Sequence, residues 1–260
     1  MTDENKLVLV SGPADGVLLC RLNRPRQRNA LSAALLIQVA DILVQAAIDP
    51  ETRCVVLTGD DVAFSAGADI TEMERDGFHA IEKHERQVAW RTIERFPKPL
   101  VAAVNGICFG GGHELALLCD IVIASDTARF AQPEINIGII PGDGATQRVT
   151  RSVGKSLAMK MMLTGEPIDA ATAMQAGLVA EVVAPERTLD RAFEIAATIA
   201  QKAPIAAKLA KEAVLAAYET PLSAGLDVER RAIRLAFTTA DQKEGMAAFV
   251  AKRPAQFTGR

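Results

Sequence analysis

Three short runs in the chain carry almost no polar residue: Arg53-Cys-Val-Val-Leu-Thr58, Leu100-Val-Ala-Ala-Val104 and Asp120-Ile-Val-Ile-Ala124. A strand with one face in water alternates apolar and polar side chains, so a run that is apolar throughout needs cover on both faces. Helical patterns supply that cover. From Ser32, an N-cap residue, Leu36, Val39, Ala40, Leu43, Val44 and Ala47 recur at helical spacing until Asp49-Pro50 stops them. A further helix is predicted over 78–96, closed by Pro97 and Pro99. With Val17-Leu-Leu-Cys-Arg-Leu22 as another strand, strand and helix alternate to about Val183. The fold class predicted is α/β, a largely parallel sheet with helices packed outside.

The last third is helical throughout, over 188–202, 204–218, 221–238 and 241–251. Leu222, Leu226, Ile233 and Phe237 fall on one stripe, with Glu229, Arg230, Arg231 and Arg234 around it. Such a stripe packs either on the chain's own core or on another subunit. The net charge of −3 gives no electrostatic case for nucleic acid as a partner. No run of about 18 apolar residues is present to span a bilayer. The start, MTDENKLVLV, matches neither a secretory signal nor a transit peptide, so a cytoplasmic location is expected. Cys20, Cys54, Cys108 and Cys119 show no metal-ligand spacing and read as buried reduced thiols.

Several chemistries can be set aside. His113-Glu114 begins like a zinc-protease helix, but Leu117 stands where the second histidine belongs. There is no GxSxG elbow, no GxGxxG fingerprint and no GxxxxGK[ST] loop, and there are three histidines in all. What is left is a pair of glycine-flanked carboxylates. Glu114 follows Gly110-Gly111-Gly112 into an apolar helix, and Glu134 lies in FAQPEINIGIIPGDGATQ. Each could be a first-turn acid serving a helix terminus. A third segment, AFSAGADITEM (63–73), has small residues where backbone N–H groups can be exposed. Two such N–H groups on one carbonyl oxygen form an oxyanion hole, and two carboxylates can then divide the roles of proton acceptor and donor.

These segments resemble the crotonase superfamily, and within it the enoyl-CoA hydratases. The resemblance runs from LNRPRQRNAL (22–31) through AFSAGADITEM, AVNGICFGGGHELALLCDIVIAS, FAQPEINIGIIPGDGATQR and VGKSLAMKMMLTGEPIDAATAMQAGLV to FVAKRPAQFTGR. It implies a spiral of ββα units over 1–195 holding the CoA and active sites. Over 196–260 it implies a helical oligomerisation region, with assembly as a homotrimer or a hexamer of two trimers. It implies that Glu114 and Glu134 are catalytic and that the oxyanion hole is the N–H groups of Ala68 and Gly111. The Gly142 amide would hold the reacting water. The substrate implied is an acyl-CoA thioester, with no separate cofactor and no metal. Relatives of this kind act in fatty-acid β-oxidation and phenylacetate degradation.

For CoA the resemblance points to Ala66, Ala68 and Arg26, and to Phe249 and Lys252 reaching CoA on a neighbouring subunit. Met73 and Trp90 are the acyl-pocket candidates, Trp90 being equally suited to the core. Departures from the family pattern are Thr71 for a lysine, His113 for a small residue, and Asp143 and Ala145 in PGDGATQ where PGAGGTQ is usual. Two alternatives follow: an enoyl-CoA isomerase, which can work with one glutamate, and a non-catalytic RNA-binding relative, which would want a basic surface.

Overall fold

A computed structural model describes residues 6–260; residues 1–5, the acidic start of the chain, lie outside the described part. The chain opens with a hairpin, β1 (Val8–Ala14) and β2 (Val17–Leu22), then α1 (Ala33–Ile48) and β3 (Cys54–Thr58). There follow β4 (Ala63–Ser65), α2 (Ile70–Asp76), α3 (Phe78–Glu82), α4 (His84–Glu94), β5 (Leu100–Val104), β6 (Ile107–Phe109) and α5 (Gly111–Leu117). Next come β7 (Ile121–Ser125), β8 (Arg129–Ala131), a 3-10 turn (Pro133–Ile137), α6 (Ala145–Thr164), β9 (Ile168–Asp169), α7 (Ala170–Gln175) and β10 (Glu181–Val183). Four helices finish it: α8 (Thr188–Ala200), α9 (Pro204–Ala216), α10 (Leu222–Ala236) and α11 (Ala240–Val250).

Two sheets result. The first has the order β1-β2-β3-β5-β7-β10 and is parallel except for the β1–β2 hairpin. The second has the order β4-β6-β8-β9, parallel except for β8–β9. Three times the chain lays one strand in the first sheet and one in the second, then turns back through helix: β3-β4 with α2–α4, β5-β6 with α5, and β7-β8 with α6. This is the ββα spiral. The strand–helix alternation in the sequence resolves the first sheet; the second is additional to it.

The all-apolar runs are explained by what covers each face. Cys54, Val56, Val101, Ala103 and Ile123 face α8, which presents Ala192, Ala196 and Ala200. Alanines four residues apart on a helix let it lie close against the strands. Val55, Leu57, Leu100, Ala102 and Val104 face the larger core with α1, Trp90, Phe64 and Phe130. Ser32 does cap α1, accepting from the Leu35 N–H at 3.3 Å. The single helix predicted over 78–96 is instead two, parted at Lys83, whose ammonium turns to Glu72 and Asp76 on α2. All four cysteines are buried and unpaired. No helix among the described residues is long and apolar enough to cross a membrane.

The α10 stripe does not meet the chain's own core. Leu222, Ile233 and Phe237 are more than half exposed, and neither α9 nor α10 has a buried residue.

Candidate active site

The segments 22–31 and 63–73 lie together because polar side chains stitch them. Asn29 is fully buried and donates to the Ala63 carbonyl at 2.9 Å, while the Ser65 hydroxyl donates to the Asn29 carbonyl at 2.8 Å. Arg24 reaches the Ala30 carbonyl and the Asp69 carboxylate. Leu31 N–H donates to Gly67 O, and Asp69 N–H to Leu31 O, which passes over Ala68. The Ala68 N–H is therefore left without a partner among the described residues. Gly111, at the first position of α5, has its N–H in the same state, as the opening residues of a helix must. The two are neighbours: a Cβ added to Gly111 would stand 3.4 Å from Ala68 N.

The glycine run is demanded by contacts on both sides. Gly110 has φ +51°, and a Cβ there would sit 2.7 Å from Glu134 Oε1; one on Gly112 would be 2.5 Å from the Ser65 carbonyl. Any side chain at 110 would displace the second carboxylate. Any at 112 would push α5 off β4.

Glu114 is 2 % exposed. Its own helix has no side-chain cap. Instead Oε1 accepts the backbone N–H groups of Asp143 and Ala145, at 2.8 and 2.9 Å, across the turn that starts α6. Glu114 thus lies in the first turn of α5 but gives its oxygen to the amides that open α6 rather than to its own helix. Burial lifts its pKa to about 7, with the charges of Asp143 and Glu134 adding to the rise and the two amides opposing it. Glu134, half-buried in the 3-10 turn after Pro133, is also raised, by burial first and then by Asp143. Gly142 is exposed in the turn that leads into α6, and its N–H meets no acceptor among the described residues.

Asp143 turns away from the glutamates to an ion pair with Arg86 of α4, one contact being Nη1 to Oδ1 at 3.2 Å. Arg148 donates to the Asp143 carbonyl at 3.0 Å. The turn whose amides hold Glu114 is thus clamped from α4 and from α6. The Arg86 guanidinium also lies 5.8 Å from the centre of the Trp90 ring.

Sequence reasoning passed over Gln132. It is fully buried, and its amide lies 3.1 Å from His113 Nδ1 and 3.2 Å from both Glu134 oxygens. Only one orientation pairs donors with acceptors throughout. Nε2 donates to the Glu134 carboxylate, and Oε1 accepts from His113 Nδ1–H. A neutral amide has no sequence signature of its own, although its place two residues before Glu134 marks it in hindsight.

The remaining candidates are dispersed. Met73 lines a small cleft with Leu31, Ala68, Glu72 and Arg86. Trp90 belongs to the core beneath Arg86, and its Nε1 has no partner among the described residues. Ala66 is half-buried with its N–H held by the Arg28 carbonyl; Arg26 is exposed in the 3-10 turn Pro25–Gln27, and Thr71 is exposed on α2. Phe249 is 86 % exposed and Lys252 exposed, at the end of α11, and α11 has no extensive packing against the elements that carry the site. A groove of about 500 Å³ between α1 and α4, lined by Leu43, Val44, Val88, Arg91 and Arg95, holds no acid and lies apart from the glutamates.

Comparison with known proteins agrees with this geometry. The family described as enoyl-CoA hydratase/isomerase matches residues 13–260. The chain is 48% identical to the 2,3-dehydroadipyl-CoA hydratase of Escherichia coli strain K12, over 94% of this chain and 96% of that one. It is 47% identical to a mitochondrial enoyl-CoA hydratase of Pongo abelii, over 95% of this chain and 85% of that one. An enoyl-CoA hydratase from Bacillus anthracis, solved by crystallography, superposes with a TM-score of 0.93 at 39% identity, covering 98% of this chain and 100% of the other. Matched in sequence along nearly its whole length and in fold, the chain belongs to the enoyl-CoA hydratase/isomerase family.

Proposed function

We propose that the protein adds water across C2=C3 of a trans-2-enoyl-CoA to give a 3-hydroxyacyl-CoA. The observation that carries this is the meeting of two N–H groups without partners among the described residues, on Ala68 and Gly111, with the buried carboxylate of Glu114 and the half-buried one of Glu134, from different turns of the spiral. The thioester oxygen accepts from both amides, which draws electron density out of the double bond and leaves C3 electrophilic. Water held by the Gly142 N–H attacks C3 while Glu114 takes its proton; a C3–O bond forms as the π bond breaks. Glu134 delivers a proton to C2, and the enolate returns to a thioester. A carboxylate lifted to about 7 is a strong enough base to act near neutrality, and burial shifts Glu134 in the same upward direction. The reaction needs no cofactor beyond the CoA of the substrate. An isomerase requires one proton-shuttling acid, so the presence of both glutamates favours hydration.

The CoA moiety lies along Ala66 and Ala68, with Arg26 near its phosphates and Met73 toward the acyl chain. Phe249 and Lys252, which stand apart from the site within one chain, complete the CoA contacts of a neighbouring subunit. Residues 196–260 form the assembly region of a trimer or a pair of trimers, and the protein works in the cytoplasm. Similarity to a 2,3-dehydroadipyl-CoA hydratase makes ω-carboxylated enoyl-CoAs a class to compare with short, long and aromatic-derived ones.

The test is loss of the conjugated-thioester absorbance of crotonyl-CoA on adding the protein. Glu114→Gln and Glu134→Gln should each lower kcat about 10²–10⁴-fold. Full activity in the double variant would falsify the two-acid reaction.

A further inference from the structure

His113 takes no part in the reaction described above, yet it is fully buried and stands where the family pattern has a small residue. Filling that place with an imidazole puts a polar ring in the core against Phe130, the ring centres 5.3 Å apart. Nε2 finds no partner among the described residues. A buried polar group kept under those conditions is expected to secure something with its other nitrogen. That nitrogen, Nδ1, faces Gln132, and Gln132 faces Glu134.

The polarity of this chain of contacts is set from the ring. His113 Nε2 lies in an apolar setting with no partner among the described residues, where a bare lone pair costs less than an N–H, so the proton belongs on Nδ1. That N–H requires an acceptor, so Gln132 turns Oε1 to the ring and Nε2 to Glu134, whose carboxyl group keeps an accepting oxygen in either protonation state. Burial pulls the imidazole pKa down to about 3, so the ring is neutral. Without the imidazole, Gln132 loses the one donor that distinguishes its two amide orientations from behind. In the wrong orientation its oxygen would oppose Glu134 and push the carboxyl group away from C2.

We propose that His113 is a positioning residue: through Nδ1–H it fixes the Gln132 amide, and Gln132 then holds the Glu134 carboxyl group toward the reacting carbons. This rests on the reading of Glu134 as the proton donor. An imidazole at 113 thereby stiffens one of the two acids from behind, without touching substrate.

A double-mutant cycle on the full-length protein tests it, with crotonyl-CoA as substrate. His113→Leu should lower kcat about 10- to 100-fold with KM changed less than about twofold, the scale on which misplacing one catalytic group acts. His113→Asn keeps an amide N–H near the Nδ1 position and should recover kcat to within about threefold. In a Glu134→Gln background His113→Leu should cost nothing further, because the residue acts through Glu134. An unchanged kcat in His113→Leu, no recovery in His113→Asn, or an equal loss in the Glu134→Gln background would each overturn the proposal. Retention of activity by Glu134→Gln alone would instead overturn the role given to Glu134. Should His113→Leu not fold, His113→Ala enters the same cycle.

Discussion

Asp143 shows how much one side chain can shift a pair of others. It brings a third carboxylate to within electrostatic reach of Glu114 and Glu134 and raises the pKa of both. Asp143 itself is raised by burial, against the pull of Arg86 and Arg148. In Asp143→Ala that charge goes, and the freed Arg86 adds positive potential. Glu114 would then ionise at lower pH, and Glu134 would surrender its proton at lower pH. Both limbs of the kcat–pH profile are expected to move in the acid direction, on a turn whose amides still hold Glu114. A profile that stays put or moves upward would sink this account. Glu114 and Glu134 are legible in the sequence because charged residues among glycines stand out against an apolar background. Gln132 is not, since an uncharged amide looks the same whether it faces solvent or a carboxylate. His113 is visible as a departure, but its partner lies nineteen residues along on another turn of the spiral.

Among the elements, legibility follows length and cover. The strands β3, β5 and β7 are five residues each and apolar but for the closing Thr58 and Ser125, so their burial on two faces can be read directly. β4, β6 and β8 have three residues each, too few to display a period of two. Their existence is fixed instead by pairing with strands distant in sequence. The helix predicted over 78–96 misleads for a different reason: its apolar spacing continues across Lys83, while the break comes from ion pairs to α2 that no local pattern records. Element boundaries also have chemistry of their own. Lys98 donates to the carbonyls of Ala46, Asp49 and Thr52, each at 2.7 Å, and so closes the C-terminal end of α1 with a cation. Lys98→Met is expected to lower the free energy of unfolding by about 1–3 kcal/mol, since those carbonyls lose a charged donor. Urea unfolding measures it, and kcat of the folded protein should hold, because none of these groups touches the site.

At the scale of the whole molecule the open question in the sequence was where the α10 stripe packs. Its residues are uncovered by their own chain, and Phe249 and Val250 beside the tail are more than four-fifths exposed. Replacing Ile233 and Phe237 together with Asp should yield a smaller species by sedimentation velocity. On the assembly proposed above, the same variant should show a raised KM for the CoA thioester, because Phe249 and Lys252 would no longer reach a neighbour's site. An intact assembly, or a small species with an unaltered KM, would contradict this arrangement.

The alternation between two sheets also dictates an order of construction. Ala68 arrives with the first ββα turn, Gly111 and Glu114 with the second, and Glu134 and the 143–145 amides with the third. As a chain leaves the ribosome, each turn can stack on the one before it, as repeats do in a solenoid. The proposed pocket for the thioester oxygen thus has both of its amides two turns into synthesis. Glu114 meets its anchoring amides only as α6 begins, so on the proposed mechanism hydration waits for the third turn.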